Sequence, residues 1–516
     1  MARTRHDVWK LGGDWSDPLI WYARGVRALQ QRPITDRTSW RFLAAMHGID
    51  LQLWRAFGYL AAGEKLPPKA DQNSFWKQCQ HQSWYFLAWH RGYLAAFEAI
   101  IRAAIGPLGG PADWALPYWN YSEKTPARAG RIPPAFQAPT LPDGTRNPLR
   151  VARRYGEDGQ GNVQLTQQDV PLNALLEHGF AGGSGGGSPG FGGPKTIFSH
   201  SGNVNGRLEN RPHNIVHSLV GGGTQQNPGL MSDPDIAALA PIFWIHHANI
   251  DRLWEVWRKR DHAHANPTDA AWLTGPAGRK FKMPTPTGES HSFAAKDMLD
   301  TTAPNLDYVY EDVADPLGGA NPLAVRMARL AAAHGIAVPV TAAVEASVGQ
   351  KEQAELIGAN DAEVRVDGGH VETRVRLDRR VADKVRRSLQ PQSAFAAGAP
   401  KEPDRVFLNL ENIKGANDAA VFQVYVNLPP NADPAAHPEC LAGAVSLFGA
   451  KKASREDAPH GGSGLTSVLD ITDIVDALHL NNQALDHLNV RFVPRNRIAP
   501  EDKVSVGRVS VYRQGQ

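Results

Sequence analysis

Three histidines in two short stretches of the sequence constrain this chain more than any other feature. His213 and His217 lie four residues apart in the stretch HNIVH. On an α-helix with 3.6 residues per turn, both side chains would project from one face, so both imidazoles could reach the same metal ion. His247 lies further along, in FWIHHANIDRLW, on a second helix that Pro241 is expected to open. Two histidines at this spacing are weak evidence by themselves, and the third makes them half of a predicted metal site.

A second group of histidines lies in the first hundred residues. His47 ends a short predicted helix, and His81 follows Cys79 by two residues. His90 is centred on the apolar face of a helix predicted over residues 84–105. A single histidine on an apolar face is more often a buried core residue than a ligand. Two groups of three, each within or beside an apolar helix, favour a second half of the same site.

The type of ligand indicates which metal the site would hold. Imidazoles without carboxylates suit copper or zinc better than magnesium, calcium or a di-iron centre. Zinc at these ligands would be redox-silent, whereas two cuprous ions could together give two electrons to O2. The sequence therefore predicts two copper ions with O2 as co-substrate, and a structural zinc site is the remote alternative.

Composition and charge argue against several other functions. Of 516 residues, 42% are hydrophobic and 21% charged, and the net charge is only +3 with no long block of like charges. Neither nucleic acid nor a membrane surface is therefore an expected partner. No run of about 18 apolar residues occurs, and the N-terminus has no apolar leader. The two cysteines, Cys79 and Cys440, do not indicate a disulfide framework, so we expect a cytoplasmic protein.

The period of the apolar residues divides the chain into two domains. Residues 1–315 carry helical spacing, interrupted by a long excursion over residues 122–200 that contains a glycine- and serine-rich run. Residues 316–360 are interpreted as a linker with a short helix. Residues 361–516 alternate between apolar and polar positions, beginning with a hairpin around Asp367-Gly368-Gly369. The pattern predicts a mainly α domain followed by an antiparallel β-sandwich domain.

Several motifs occur together in the order typical of one protein family. They are His47, Cys79-Gln80-His81, Trp89-His90-Arg91-Gly92-Tyr93-Leu94, Leu116-Pro117-Tyr118-Trp119-Asn120-Tyr121, HNIVH and FWIHHANIDRLW. In these motifs the chain, over about residues 5–315, resembles the tyrosinase/polyphenol oxidase family of type-3 dinuclear copper proteins. The C-terminal part is similar, more weakly, to the β-domain that follows the copper domain in long polyphenol oxidases.

The resemblance implies a fold and a set of metal ligands. The family fold is a four-helix bundle that holds both ions. The implied ligands of one ion (copper A) are His47, His81 and His90, and those of the other (copper B) are His213, His217 and His247. His246, the first of the adjacent pair, is implied to form part of the pocket wall. In many members the cysteine at the position of Cys79 is joined to the following histidine by a thioether bond, and a plain buried cysteine is the alternative.

The resemblance also implies which residues act on the substrate. A phenol with a pKa near 10 must lose its proton before it binds copper, so a base is needed. Glu209 and Asn214 match the pair thought to hold an activating water in members that hydroxylate monophenols, although Glu209 could also be only a helix-start carboxylate. Phe243 would pack beneath them. Pro234, at the position of the gate over copper B, would leave an open entrance.

Other residues are expected to support the ligands. Phe86 lies on the apolar face of its predicted helix. Asp251 follows His247 by one turn and could accept an imidazole N–H from it, with a surface salt bridge as the alternative. Arg5 is expected to stack on Tyr308-Val309-Tyr310, which resembles the tyrosine motif that closes the copper domain in the family.

The activity predicted from these features is oxidation of a small phenolic substrate. We expect an enzyme that hydroxylates monophenols at the ortho position and oxidises o-diphenols to o-quinones with O2. A catechol or o-aminophenol oxidase without monophenolase activity is the first alternative, and an O2 carrier of haemocyanin type is a distant one. The β-domain is expected to cover the entrance as a lid, with a protease-sensitive segment over residues 336–360. The chain could form a homo-oligomer.

Overall fold

The structure of the protein is a computed structural model. Its first part is a helical body. The structure describes residues 2–198, 203–260, 264–319, 321–336, 353–395, 402–457, 461–481 and 485–515. The helices of the body are α1 (Asp17–Gln30), α2 (Trp40–His47), α3 (Leu51–Ala56), α4 (Lys69–Phe75), α5 (Phe86–Ile105), α6 (Ile215–Gly221), α7 (Pro241–Arg260) and α8 (Ala270–Thr274). Its short strands, which pair as β1–β6, β2–β3 and β4–β5, are β1 (Arg3–Arg5), β2 (Ala181–Gly182), β3 (Gly193–Pro194), β4 (Phe281–Pro284), β5 (Ser290–Phe293) and β6 (Tyr308–Tyr310).

Helix α5 is the centre of this body. Its sequence, FLAWHRGYLAAFEAIIRAAI, is apolar or small on nearly every side, which is the pattern of a helix surrounded by protein. α1 packs closely along it at Gly25, where an added Cβ would lie 2.8 Å from Cγ2 of Ile101. α7 packs on it through Trp244 and Phe97, whose rings stack with centroids 3.6 Å apart. These contacts fix the relative positions of the histidines on α5 and α7.

A buried ion-pair network joins the same two helices to the chain termini of the body. The carboxylate of Asp251 on α7 accepts hydrogen bonds from Arg91 (2.6 Å) and Arg5 (3.3 Å). It also accepts one from each of the hydroxyls of Tyr308 and Tyr310, both at 2.6 Å. Burial raises the pKa of Asp251, but the two arginines outweigh it and hold the pKa below its usual range. The Arg5 guanidinium lies 3.5 Å from the ring centroid of Tyr308, which confirms the predicted cation–π contact.

The C-terminal part forms one continuous antiparallel sheet. Within the described residues the strand order is β12-β11-β14-β9-β7-β15-β10-β13, with β8 paired to β15. The two end strands, β12 and β13, also contact each other, so the sheet curls towards a barrel. The strands are β7 (Gln353–Ala359), β8 (Val364–Arg365), β9 (Val371–Leu377), β10 (Arg405–Lys414), β11 (Val421–Val426), β12 (Leu441–Ser446), β13 (Leu465–Asp470), β14 (His487–Pro494) and β15 (Ser505–Gly515). The accompanying helices are α9 (Pro322–Ala333), α10 (Arg379–Ser388), α11 (Pro391–Ala394), α12 (Ala450–Ala453) and α13 (Thr472–Leu480).

The sheet differs from the prediction in three ways. The strands pair in the antiparallel sense, as predicted. They form one sheet, however, so the predicted sandwich of two sheets is not confirmed. β7 lies inside the predicted linker over residues 316–360, between β9 and β15; residues 337–352 of that linker lie outside the described residues. β8 and β9 do not form the predicted hairpin, since β8 pairs with β15. Alternating apolar residues identify a strand but not its partner, which is decided by packing over long sequence distances.

The predicted four-helix bundle is not confirmed either. α5 and α7 pack together and α1 contacts both α2 and α5, whereas α6 has seven residues and packs on strands β11 and β12. A π-helical turn, Glu209–Asn214, precedes α6 and contains a non-helical residue, Arg211, with φ −147° and ψ 129°. One of the histidine-bearing elements is therefore shared between the helical body and the sheet.

Two further features are the hydropathy of the helices and the state of the cysteines. Among the helices that the structure describes, none combines the length and the hydropathy needed to cross a membrane. Cys79 is buried, Cys440 is half-buried, and the two are not joined in a disulfide.

Candidate dinuclear metal centre

Two clusters of buried side chains with metal-binding atoms lie side by side in the helical body. Within each cluster the candidate ligand atoms all lie within 4.8 Å of one another. The first cluster comprises His47, Cys79, His81 and His90, and the second comprises His213, His217, His246 and His247. Each half of the predicted ligand set thus falls into one cluster.

In the second cluster, backbone and amide oxygens fix how the rings are oriented. Nδ1 of His217 donates to the carbonyl of Met231 at 2.8 Å, and Nδ1 of His213 donates to Oδ1 of Asn214 at 2.8 Å. With the proton on Nδ1, each ring presents the lone pair of Nε2. Nε2 of each ring lies 3.3 Å from Nε2 of His247. The three nitrogens therefore converge on one point.

The first cluster is oriented by the same device. Nδ1 of His47 donates to the carbonyl of Pro234 at 2.9 Å, and Nδ1 of His90 donates to the carbonyl of Phe86, one turn earlier on α5, at 2.8 Å. Nε2 of His47 is buried and has no hydrogen-bond partner among the described residues. A buried nitrogen without a partner is costly unless a metal ion binds it.

The spacing of these nitrogens fits an ion bound by imidazoles. Two nitrogens held at about 2.0–2.1 Å from one ion with tetrahedral angles would be about 3.3 Å apart. That is the separation of Nε2 of His247 from Nε2 of both His213 and His217. Without a metal ion, the Nε2 proton of His247 can be donated to one of these neighbours, whereas an ion would be bound by all three nitrogens. The donor set of neutral imidazoles suits copper.

Burial keeps these imidazoles neutral. It lowers the pKa of His213 to about 3 and that of His47 to about 4. It also holds the pKa values of His90, His217 and His247 well below the usual range, with the neighbouring imidazoles adding to the effect. Metal ions bind the neutral form of histidine, so at pH 7 no proton has to be displaced from these rings.

Two phenylalanines hold the clusters against each other. Phe86 contacts one ring of each cluster, His90 at 4.7 Å and His213 at 4.8 Å between ring centroids. Phe243 does the same for His47 at 4.9 Å and His247 at 4.2 Å. The rings of His90 and His247 also stack directly on each other, 4.4 Å apart. Each of these phenylalanines therefore packs across the boundary between the two clusters.

The thiol of Cys79 faces its neighbouring histidine. Sγ lies 3.7 Å from Nδ1 and 3.6 Å from Nε2 of His81, and 3.4 Å from Nε2 of His90. Nearly equal distances to the two nitrogens of His81 place the sulfur close to the plane that bisects the ring through Cε1, the carbon between them. Burial raises the pKa of the Cys79 thiol well above its usual value. The sulfur is therefore a protonated thiol in the metal-free protein.

Glu209 connects the two half-sites. Its carboxylate oxygens accept the backbone N–H of Gln82, the residue after His81, at 2.9 and 3.0 Å. The side chain of Gln82 in turn donates to Asn205 at 2.8 Å. Burial raises the pKa of Glu209 to about 8, although the hydrogen bonds to its carboxylate act in the opposite direction. The carboxyl is mainly protonated at pH 7 in the absence of nearby cations, and cations would favour its ionised form.

A phenylalanine from the sheet domain covers the second cluster. Phe448, which follows β12, stacks on His217 with ring centroids 4.1 Å apart and an interplanar angle of 18°. Its ring also lies 5.7 Å from that of His81 and 5.9 Å from that of His213. It belongs to the apolar core of the helical body, whereas its neighbour Leu447 belongs to the core of the sheet.

Hydrogen bonds and ion pairs fix this cover in place. Oγ of Ser446 donates to the carbonyl of Asn214 at 3.0 Å, and Oγ of Ser218 donates to the carbonyl of Asp418 at 2.6 Å. The two hydroxyl oxygens are 2.7 Å apart. Two ion pairs flank them, Lys451 with Asp233 at 3.6 Å and Lys452 with Asp235 at 3.2 Å. The turn that carries Phe448 is therefore attached directly to the residues beside the histidines.

Two of the predicted site residues have other roles. The carbonyl of Pro234 accepts the Nδ1 proton of His47, and the residue also lines a cavity between the helical body and the sheet domain. A Cβ added at Gly449 would lie 3.8 Å from Cγ of Pro234. Asp251 is neither a partner of His247 nor part of a surface salt bridge. Its oxygens are taken up by the buried arginines and tyrosines, and Nδ1 of His247 has no partner among the described residues.

His246 lies in the second cluster without a hydrogen bond from either ring nitrogen in the described structure. Its ring stacks on that of His213 with centroids 5.4 Å apart, and it lies 5.0 Å from that of His217. On its other side it meets Tyr121 at 5.6 Å. It therefore packs beside the converging nitrogens.

Some contributors to the site carry little signal in the sequence. The carbonyls of Met231 and Pro234 could belong to any residue type, so no pattern indicates them. Gln82 acts through its backbone N–H, so its residue type does not indicate its role either. Phe448 leaves one faint signal, an aromatic residue at the end of a strand predicted over residues 444–448 and just before a glycine, Gly449.

The fold and the site together define a dinuclear copper protein with a second, sheet-forming domain. The family model described as "Common central domain of tyrosinase" matches residues 37–174 and 190–260. A "Domain of unknown function (DUF7868)" matches residues 353–514. Tyrosinase HcTyr1 of Hahella sp. (strain CCB-MM4) is 33% identical over 530 residues, which cover 99% of each chain. The chain therefore belongs to the tyrosinase family, whose use of copper and O2 agrees with the two histidine clusters.

Other relatives extend the similarity to plant proteins. The chloroplastic polyphenol oxidase of Malus domestica is 29% identical over 360 residues, covering 67% of this chain and 54% of that protein. The structure of latent apple tyrosinase matches with a TM-score of 0.62 and 20% identity, covering 100% of this chain and 98% of that one. Latent aurone synthase matches with a TM-score of 0.58 and 20% identity, covering 99% and 89%. These structures show the same fold, a helical body followed by a sheet domain.

Proposed function

We propose that this chain hydroxylates monophenols at the ortho position and oxidises o-diphenols to o-quinones with O2. The observation that carries the proposal is the pair of buried, adjoining imidazole clusters with the carboxyl of Glu209 fixed between them. The relative that matches along the whole chain is named a tyrosinase. Small phenols are the substrate class that fits a buried site lined by aromatic rings.

We assign the metal ligands as the histidines of the two clusters other than His246. Those of copper A are His47, His81 and His90, and those of copper B are His213, His217 and His247. When bound, the two copper ions would supply the electrons that reduce O2 and a site for the phenolic oxygen. The orientation of the rings is supplied by the protein, through the carbonyls that accept their Nδ1 protons. We assign His246 to the wall, since neither of its nitrogens shares the 3.3 Å contacts of His247.

In this proposal Glu209 receives the proton of a monophenol, directly or through a water molecule that it holds together with Asn214. Its burial and its anchor to Gln82 keep the carboxyl in one position. The cations beside it would lower its pKa from the value near 8 of the metal-free protein, which makes it a base at neutral pH. Asn214 accepts the Nδ1 proton of His213 and so also orients a ligand.

The second candidate function is oxidation of o-diphenols alone. The observation that favours it is that both oxygens of Glu209 already accept the backbone N–H of Gln82, which is also what a purely structural carboxyl would do. A diphenol gives up its protons more readily and needs less help from a base. Rates on a monophenol and on the matching o-diphenol separate the two candidates.

We further propose that the sheet domain acts as a lid, and that it begins at residue 353, where β7 starts, instead of residue 361. The support is Phe448, whose ring occupies the space above His217 where a phenol would have to lie. We also infer a thioether between Cys79 and His81, which the position of the sulfur favours.

The ligand assignment predicts how copper content responds to two adjacent substitutions. The copper-loaded protein should contain two ions per chain by metal analysis. His247→Ala should lose the copper B ion because it removes one of three converging nitrogens, whereas the matched control His246→Ala should keep both ions. A His247→Ala protein with two ions and full activity would contradict the assignment.

The thioether predicts a change in mass. Joining Sγ of Cys79 to a ring carbon of His81 removes one hydrogen from each, so the linked peptide should be lighter by two hydrogens once copper and O2 have been present. Cys79 should also resist alkylation in the unfolded protein, while Cys440 reacts and serves as the internal control. Full alkylation of Cys79 in active enzyme would exclude the link.

The role of Glu209 predicts a selective loss of activity. Glu209→Gln keeps an oxygen that can accept the N–H of Gln82 but removes the base. The monophenol rate should fall by roughly a hundredfold, the usual contribution of a general base, while the rate on the matching o-diphenol changes little. Equal losses on both substrates would show that the residue acts through structure or binding.

The lid proposal predicts that one side-chain substitution raises the activity. Phe448→Ala removes ring contacts worth about 1.5–3 kcal/mol, so the initial rate on phenols should rise by roughly tenfold or more, and most for bulky ring substituents. Leu447→Ala is the matched control, because that buried side chain packs in the sheet and not over the histidines. An unchanged rate and size selectivity in the Phe448→Ala protein would refute the lid.

A further inference from the structure

A second cavity lies on the outer face of the helical body, between α1, α2 and the loop over residues 146–153. It has a volume of about 600 Å³. Volumes of roughly 300–1,000 Å³ are usual for sites that bind small molecules. Five arginines line the cavity, and none of the described lining residues is acidic: Arg27, Arg41, Arg146, Arg150 and Arg153. We call this cavity the arginine pocket.

Most of this charge is not neutralised. Arg41 pairs with Glu64 at 2.7 Å, but in the described structure no ion pair is formed by the other arginines of the pocket. Asp143 interacts electrostatically with Arg27, but its carboxylate is exposed, accepts hydrogen bonds from Thr145 and does not line the pocket. An arginine-lined concavity with few counter-charges produces a positive potential that attracts anions.

Neutral groups hold two of these arginines in place. Nη2 of Arg27 donates to Oγ1 of Thr145 at 2.8 Å and to the carbonyl of Arg146 at 2.6 Å. Nη1 of Arg153 donates to Asn227 and to the hydroxyl of Tyr155. Acceptors without charge fix a guanidinium while leaving its charge available. The cost of ordering the side chain is then met before a ligand arrives, which favours tight binding.

Aromatic side chains complete the pocket. The guanidinium of Arg153 lies over the ring of Phe57, with its Cζ 3.5 Å from the ring centroid. Tyr59 and Trp40 also line the cavity. Planar guanidinium groups bind phosphate and carboxylate through paired hydrogen bonds, and aromatic faces accept a planar ring.

We propose that the arginine pocket binds a small organic anion with at least two negative charges, carried by a phosphate or by two carboxylates, and with a planar ring. The anionic group would lie among Arg146, Arg150 and Arg153, and the ring would contact Phe57 and Tyr59. This site is separate from the copper centre, and it does not depend on the proposed oxidase activity.

The test is calorimetric titration of the copper-loaded full-length protein in low salt. Adenosine monophosphate supplies charge and ring together, phthalate supplies two carboxylates on a ring, inorganic phosphate supplies charge alone, and adenosine supplies a ring alone. Adenosine monophosphate or phthalate should bind saturably with one site per chain, and whichever binds more tightly identifies the anionic group. Inorganic phosphate should bind at least tenfold more weakly, and adenosine should not bind.

Variants then locate the site. Arg146→Gln and Arg153→Gln should each weaken binding at least tenfold. Arg146 is exposed, so its replacement leaves the fold intact even if loss of the contact with Phe57 disturbs Arg153→Gln. Arg374→Gln, which removes an exposed arginine on β9, should bind like the unchanged protein.

Three results would overturn the proposal. The first is the absence of saturable binding by both ringed anions. The second is an equal loss of affinity in the Arg374→Gln control, which would indicate general charge attraction. The third is binding of long polyphosphate or heparin without binding of the small anions, which would mark the pocket as a docking surface for an acidic macromolecule.

Discussion

The structure depends on hydrogen bonds that hold one ring nitrogen of each of four buried, neutral imidazoles and leave the other nitrogen for a metal ion. Backbone carbonyls hold the Nδ1 protons of His47, His90 and His217, and the side chain of Asn214 holds that of His213. Phe86 and Phe243 each contact rings of both clusters. The orientation of these rings is therefore set by the groups around them.

The candidate metal ligands could be predicted from the sequence, whereas most of the groups that orient them could not. Metal ligands must be particular residue types, and helical spacing brings His213 and His217 to one face, so both histidine groups could be recognised. Supports that act through the backbone, such as the carbonyl of Pro234, leave no trace in residue type. Asp251 had the correct spacing for a partner of His247, but its carboxylate pairs with two buried arginines instead. Burying a guanidinium without a partner costs far more free energy than burying an imidazole N–H without one.

The sheet domain shows the same limit at the level of topology. Alternation located strands such as β10, β11 and β15. It did not show that β7 lies at the centre of the sheet, nor that β12 and β13 approach each other, because both depend on contacts between distant parts of the chain. Overall charge was equally uninformative about local charge. A net charge of +3 gave no indication that five arginines share one cavity.

The short segment from Met231 to Asp235 serves both halves of the centre. The carbonyl of Met231 orients His217, and the carbonyl of Pro234 orients His47. The same segment is bound by Lys451 and Lys452 of the sheet domain. Contacts from the sheet domain therefore reach one imidazole of each cluster through a single five-residue segment. A change in how that domain packs would be felt at both clusters together, because the two carbonyls belong to the same short stretch of backbone.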